Sequence, residues 1–183
     1  PGRERDFAVT METALAYAAV TGCPRLHVMS GVMPSGPVLN DCEDVLIANL
    51  AMAARMAAGQ GVMLLIEPIN TLDVPGYVMS RQSQARRIVE AVDAENVRIQ
   101  FDFYHCQIME GDLVRNFERQ LPLIGHVQIS DNPGRHEPGT GEINYDHIFE
   151  VIDASAYGGW VGAEYRPKGD TVAGLGWFEA VNS

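Results

Sequence analysis

Strand-like and helix-like segments alternate along the 183 residues of this chain. Short apolar runs predict strands, and stretches with apolar residues at helical spacing predict helices. The predicted strands are 25–29, 62–67, 97–103, 124–130 and 160–165, and the predicted helices are 3–21, 40–59, 80–94, 112–120, 145–155 and one beginning near 174. Gly22 is predicted to end the first helix, and Ser80 to cap the third. Such alternation is typical of a parallel α/β sheet.

The two faces of each predicted strand differ in polarity. Ile99 and Phe101 point to one face of 97–103, whereas Gln100 and Asp102 point to the other, because successive strand residues alternate. An open doubly wound sheet buries both faces and tends to be apolar on both. A barrel lumen that converges on a polar site explains the split better. The sequence therefore predicts an α/β fold, a parallel (β/α) barrel of TIM type.

Four predicted strands end with an oxygen-bearing side chain on the lumen face. These are Glu67, Asp102, Gln128 and Glu164. In TIM barrels the active site lies at this end of the strands. Carboxylates placed together raise each other's pKa, which a divalent cation relieves, and an all-oxygen set suits Mg²⁺ or Mn²⁺. For any single residue, pairing with an arginine or a backbone N–H is the commoner explanation; four at matching positions favour a metal site.

Other polar residues flank the predicted strand ends, and each has a structural alternative. His105 is expected on a loop after its strand, where it could be a satisfied structural histidine. Arg135 lies in a Gly/Pro-rich loop and could be solvated, His27 could belong to the core, and Asn70 could be a turn residue. Cys106 has no evident base partner and is predicted to be inert.

Composition argues against several classes of function. The net charge is −11 and the sequence has no basic stripe, so a nucleic-acid partner is not expected. No apolar run approaches the roughly 18 residues of a membrane span. The sequence has three cysteines without a CxxC pair and no signal peptide, which predicts that the protein is located in the reducing cytoplasm. The sequence predicts no particular oligomeric state.

Four stretches resemble one family. They are LLIEPIN (64–70), QFDFYHCQIMEGDL (100–113), GHVQISDNPGRHEPGTGEINY (125–145) and GAEYRPKGDTVAGLGW (162–177). They resemble hydroxypyruvate isomerase and the related 2-oxo-tetronate isomerases, in the xylose-isomerase-like TIM barrel superfamily. The resemblance implies that residues 1–183 form a single partial barrel domain, the last five of eight βα units.

The same resemblance implies a function and roles for individual residues. It implies a metal-dependent isomerase that interconverts hydroxypyruvate and tartronate semialdehyde, or acts on a related small acid such as 2-oxo-tetronate, through an enediolate. Glu67, Asp102, Gln128 and Glu164 would bind Mg²⁺ or Mn²⁺, and Glu67 and Glu164 would be the acid/base pair. A looser resemblance to sugar epimerases implies that His105 and Arg135 contact substrate, and His27 and Asn70 are further candidates.

Three alternatives stay open. A sugar or keto-acid epimerase could use the same metal site. A DNA-repair endonuclease of the superfamily would require several histidines for a zinc cluster, and a basic surface. This chain has only five histidines in total and is acidic, which argues against an endonuclease. A barrel fragment without turnover is the third.

Overall fold

A computed structural model describes residues 2–34 and 39–181, which contain one parallel five-stranded sheet. The strands are β1 Arg25–His27, β2 Met63–Ile66, β3 Val97–Asp102, β4 Ile124–Ile129 and β5 Val161–Ala163, and they pair in chain order. The helices are α1 Glu4–Thr21, α2 Leu39–Ala58, α3 Gln82–Val92, α4 Phe103–Met109, α5 Leu113–Gln120, α6 Tyr145–Ala154 and α7 Gly176–Val181. Together they form a curled half-barrel with helices outside, which confirms the predicted TIM-type architecture.

The apolar core lies between the sheet and its helices. Leu64 and Ile66 of β2 and Ile99 and Phe101 of β3 are fully buried within it. Phe101 packs edge-on against Phe117 of α5, with ring centroids 5.7 Å apart. Burying these side chains removes their apolar surface from water, which is the main favourable term in folding. The predicted division into a core face and a polar face is therefore present in β3, where Gln100 and Asp102 lie opposite these core residues.

The strand register brings the polar strand ends level with one another. Asp102, the last residue of β3, pairs with Gln128 of β4, and Gln128 pairs with Gly162 of β5. The backbone N–H of Glu164 donates to the Ile129 carbonyl just beyond β5. The carboxyl ends of these strands therefore meet along one rim of the half-barrel.

The structure corrects two local predictions. The N-cap of α3 is Arg81 rather than Ser80, and within the described residues no side chain caps that helix end. The Ser80 N–H instead donates to the Gln84 side-chain oxygen, 3.0 Å away. His105 lies in the first turn of α4 and not on a loop, because Asp102 ends β3 and caps α4 without an intervening turn.

None of the helices in the two described ranges combines the length and apolar character needed to cross a membrane.

Candidate active site

Glu67 is a buried carboxylate at the end of β2, with a side chain that stays 4% exposed. Its Oε1 atom has no hydrogen-bond partner among the described residues. Two imidazoles flank it: His27 Nε2 lies 3.5 Å from Oε2, and His105 Nε2 lies 3.8 Å from Oε1. Burial, followed by the charges of Asp102 and Glu164, raises the pKa of Glu67 to about 9. A charged Glu67 is therefore costly here unless a cation is near.

Asp102 uses its two carboxylate oxygens differently. Oδ1 accepts from the backbone N–H groups of Tyr104 and His105, at 2.7 and 3.2 Å, and thereby caps α4. Oδ2 is buried and receives no hydrogen bond from the part of the chain that the structure describes. Burial raises the pKa of Asp102 as well. One oxygen thus begins the helix that carries His105, and the other is left without a partner.

These carboxylates fit a divalent cation. Glu67, Asp102 and His105 each offer one ligand atom, and the three atoms lie within 4.8 Å of one another. Two of them come from buried carboxylates with raised pKa values and unpaired oxygens, which are the hard ligands that Mg²⁺ and Mn²⁺ prefer. A bound cation would offset both the desolvation of these groups and their mutual repulsion.

The other two predicted ligands lie beside this group with partners of their own. The Gln128 side-chain oxygen accepts from Gln100 Nε2 at 2.6 Å. The Glu164 side chain is 56% exposed, and its Oε2 lies 2.9 Å from an Arg135 guanidinium nitrogen. The structure thus brings Glu67 and Asp102 together and leaves Gln128 and Glu164 in neighbouring pairs.

The four residues suggested for substrate binding surround the same place. His27 and His105 flank Glu67, Asn70 contacts His105, and Arg135 contacts Glu164. Burial lowers the pKa of His27, and burial followed by the Arg135 charge lowers that of His105 to about 4. Both imidazoles are therefore neutral near pH 7 and can act as hydrogen-bond donors or acceptors.

Asn70 proves to be both a turn residue and part of the site. Its side-chain oxygen accepts from the backbone N–H groups of Leu72 and Asp73, at 3.1 and 2.7 Å. Its side-chain nitrogen lies 2.7 Å from His105 Nδ1. The turn after β2 thereby fixes the side chain that contacts the imidazole.

Sequence reasoning missed Asp131, which organises the loop that carries Arg135. Its fully buried carboxylate accepts from four backbone N–H groups, at 2.8 to 3.1 Å, which belong to Asn132, Gly139, Gly141 and Ile143. A Cβ at Gly141 would lie 2.2 Å from the Asn132 carbonyl oxygen, so only glycine fits this close approach. The available signal was an aspartate two residues after β4, at the start of a loop that contains Gly134, Gly139 and Gly141.

Sequence reasoning also missed Asp73 and Tyr104. Tyr104 O–H donates to Asp73 Oδ2 at 3.0 Å, and the Arg135 guanidinium lies 5.4 Å from the centre of the Tyr104 ring. Burial, with the adjacent Asp73, raises the pKa of Tyr104 to about 12, so this hydroxyl remains a donor. The two residues connect the loop after β2 to Arg135.

Comparison with known proteins identifies relatives across nearly the whole chain. Residues 1–181 match the family described as xylose isomerase-like TIM barrel. The chain is 51% identical over 179 residues to the 2-oxo-tetronate isomerase of Cupriavidus necator and 44% identical to the hydroxypyruvate isomerase of Escherichia coli. Each alignment covers 98% of this chain and 69% of the relative.

A solved structure agrees with this fold over the same extent. It is the crystal structure of a Brucella melitensis protein named AP endonuclease, family 2, which is 43% identical with a TM-score of 0.95. The match covers 98% of this chain and 69% of the Brucella chain. The half-barrel therefore has a close counterpart in an experimental structure.

Proposed function

The chain belongs to the xylose isomerase-like TIM barrel family, and from this premise we propose that it is a metal-dependent isomerase of small hydroxy-carbonyl acids. The proposed reaction interconverts hydroxypyruvate and tartronate semialdehyde, or a related acid such as 2-oxo-tetronate, by proton transfer through an enediolate. The names of the Cupriavidus and Escherichia relatives support this substrate class.

The observation that carries the proposal is the pair of buried, unpaired oxygens on Glu67 and Asp102. In the described ranges, no donor satisfies Glu67 Oε1 or Asp102 Oδ2. An unpaired buried charge costs far more than an exposed one, so such atoms are retained where a ligand satisfies them. This pair lies at the end of the strands where TIM barrels carry out their chemistry.

The proposed ligands of Mg²⁺ or Mn²⁺ are Glu67, Asp102, Gln128 and Glu164. When bound, the cation would polarise the substrate's carbonyl and hydroxyl oxygens and stabilise the negative charge that develops on them. Glu164 would exchange its Arg135 partner for a place in this set. The freed Arg135 guanidinium would then hold the substrate carboxylate, for which its planar fork of donors is suited.

Glu67 and Glu164 are the proposed acid/base pair. One removes the carbon-bound proton, and the other helps return a proton at the neighbouring carbon. Positioned acid–base groups typically contribute about 10²–10⁴-fold to a rate. The neutral imidazoles of His27 and His105 would contact substrate oxygens beside Glu67.

We also propose that this domain is part of a larger barrel. In the described part of the chain, β1 and β5 each pair on one side only, which leaves two sheet edges. Native proteins cover such edges or close the sheet. Three further strands, preceding these five, would complete the eight of a TIM barrel.

The proposed location of the protein is the cytoplasm. The three cysteines are free, which agrees with a reducing compartment.

A substrate panel tests the proposal. The metal-stripped chain, reloaded with Mn²⁺, is offered hydroxypyruvate, 2-oxo-tetronate and a ketohexose, and products are separated by chromatography. We expect carbonyl transfer in the short acids and at least about a 10²-fold lower rate for Glu164→Gln. Epimerised hexose as the main product would favour the epimerase instead. A Glu164→Gln rate within a few-fold of the unmodified chain would reject the acid/base role.

The name of the Brucella protein raises an endonuclease as the second candidate. A zinc cluster for such chemistry favours several imidazole ligands. Here His27 and His105 flank Glu67, and the chain carries a net charge of −11, which opposes binding to a phosphate backbone. Cleavage of abasic-site DNA by the Mn²⁺- or Zn²⁺-loaded chain would support this candidate over the isomerase.

A further inference from the structure

We propose that Asp73 is a positioning residue that holds the Asn70 amide against His105 and so, together with the Asn70 backbone N–H, fixes the ring proton of His105 on Nε2. The imidazole then presents an N–H donor to Glu67 or to a substrate oxygen and cannot be a metal ligand. The inference deepens the proposed function and rests on it only for the effect on turnover. The position of the proton follows from the hydrogen bonds of the chain itself.

The first step concerns His105 Nδ1, which must be an acceptor. The backbone N–H of Asn70 points to it at 3.2 Å, and a backbone N–H can only donate. A neutral imidazole carries one proton, and the nitrogen that accepts determines where this proton resides. With Nδ1 occupied by a donor, the proton of neutral His105 is on Nε2.

The second step concerns the orientation of the Asn70 amide, which its hydrogen-bond network assigns. The Asn70 oxygen accepts from the Leu72 and Asp73 N–H groups, so the amide nitrogen faces the opposite way. That nitrogen has two hydrogens and two neighbours: Asp73 Oδ2 at 3.0 Å and His105 Nδ1 at 2.7 Å. If the Asn70 amide were reversed, its oxygen would face the Asp73 carboxylate. Its N–H groups would then face the backbone N–H groups of Leu72 and Asp73.

The third step concerns Asp73, which holds this amide in place. Its Oδ2 atom accepts from both Asn70 Nδ2 and the Tyr104 hydroxyl, each at 3.0 Å. Although burial opposes the change, the hydrogen bonds from Asn70 and Tyr104 lower the pKa of Asp73. Asp73 therefore stays a carboxylate acceptor at neutral pH and keeps the Asn70 amide directed at His105.

The consequence is that His105 differs in role from its two neighbours in the carboxylate cluster. A metal-ligating histidine normally donates its other ring N–H to a carboxylate or carbonyl. The other nitrogen of His105 instead faces two donors, so its Nε2 carries the proton and no free lone pair. The group within 4.8 Å thus consists of two cation ligands and one N–H donor, which lies 3.8 Å from Glu67 Oε1 and therefore makes no hydrogen bond to it.

Long-range ¹H–¹⁵N correlation of the imidazole tests the inference on the full, ¹⁵N-histidine-labelled chain. The spectrum distinguishes a proton on Nε2 from one on Nδ1, and comparison with His105→Gln identifies the His105 signal. Metal-free and Mg²⁺-loaded samples should both show the Nε2–H form. A proton on Nδ1 in either sample, or coordination of Nε2 to the added Mg²⁺, would overturn the proposal.

Variants at the other end of the network test the role of Asp73. In Asp73→Ala the Asn70 backbone N–H still donates to His105 Nδ1, so the Nε2–H form should remain the major tautomer, and the released Asn70 amide should add a minor Nδ1–H form. The kcat should fall roughly 10-fold with a smaller change in KM. Asp73→Asn keeps an acceptor oxygen and should restore most of the Nε2–H form and most of the kcat. Asp153→Ala, an exposed change on α6, is the matched control and should leave both unchanged.

A reversal variant keeps the test decisive if Asp73→Ala does not fold. In Asn70→Asp with Asp73→Asn, the introduced carboxylate faces His105 Nδ1, and the introduced amide donates to it. The carboxylate competes with the backbone N–H of residue 70, so the Nδ1–H fraction should be larger than in Asp73→Ala. An unchanged Nε2–H signal in both Asp73→Ala and this double variant would reject the role of Asp73. An Nε2–H signal in a chain without isomerase turnover would instead retain the inference and reject the proposed function.

Discussion

Glu67 Oε1 and Asp102 Oδ2 lie at the ends of neighbouring strands, and within residues 2–34 and 39–181 no hydrogen-bond donor reaches either atom. The first prediction follows from this pair. Mg²⁺ or Mn²⁺ should stabilise the chain, because a ligand that binds only the folded state adds about 2.7 kcal/mol at one hundred times its Kd. Calorimetry of the metal-stripped chain with increasing Mn²⁺ measures the expected rise in Tm. An unchanged Tm would mean that no cation binds there.

The second prediction concerns the pH dependence of the metal-free chain. Burial raises the folded-state pKa of Glu67 from 4.5 to about 9. A group with a raised folded-state pKa favours folding below its unfolded pKa, and this contribution is lost as pH rises through the folded one. The Tm should therefore fall between about pH 4.5 and about pH 9, a loss that Glu67→Gln should reduce. A Tm that rises over this range in the metal-free chain would contradict the environment assigned to Glu67.

The third prediction separates the two oxygens of Asp102. Asp102→Asn keeps an oxygen that can cap α4 and should leave metal-free stability equal or higher, because a buried charge is removed. Asp102→Ala also removes the cap and should be about 1 kcal/mol less stable than Asp102→Asn. Both should bind Mn²⁺ weakly in isothermal titration. Equal urea midpoints for the two variants would show that the capping hydrogen bonds from Tyr104 and His105 do not contribute to stability.

The carboxylates at strand ends were predictable from the sequence, whereas the contacts made by Asp131 and by the cap of α4 were not. Strand alternation and parallel register are periodic, so the sequence placed Glu67 and Asp102 on one face at one rim, where the structure has them. Asp102 as the cap of α4 was missed because one residue ends a strand and begins a helix. Asp131 was missed because its four partners depend on a loop conformation that no periodicity reports.

The fourth prediction concerns Asp131 and the loop that it holds. Asp131→Ala leaves buried N–H groups without an acceptor, each costing about 1–3 kcal/mol when unsatisfied. We expect the free energy of unfolding to fall by on the order of 3 kcal/mol. The KM for hydroxypyruvate should rise, because the displaced loop carries Arg135. Urea denaturation and steady-state kinetics measure the two effects, with Asp153→Ala as control. A loss of stability without any change in KM would show that this loop does not contribute to substrate binding.

The fifth prediction concerns the cysteines. Cys23 is exposed, whereas Cys42 and Cys106 are buried, and burial raises the pKa of the Cys106 thiol. The thiolate is the reactive form, so the native chain should present one fast-reacting thiol to a disulfide reagent and the other two only on unfolding. Two fast thiols in the native state would show that α2 or α4 opens readily.

Turnover of hydroxypyruvate against Mn²⁺ concentration, measured on one metal-stripped sample, tests the central claim most directly. The proposed site predicts no isomerisation without metal and a rate that saturates with the same Mn²⁺ dependence as the rise in Tm. A full rate of isomerisation in the metal-stripped sample, unchanged by Mn²⁺ or Mg²⁺, would contradict it.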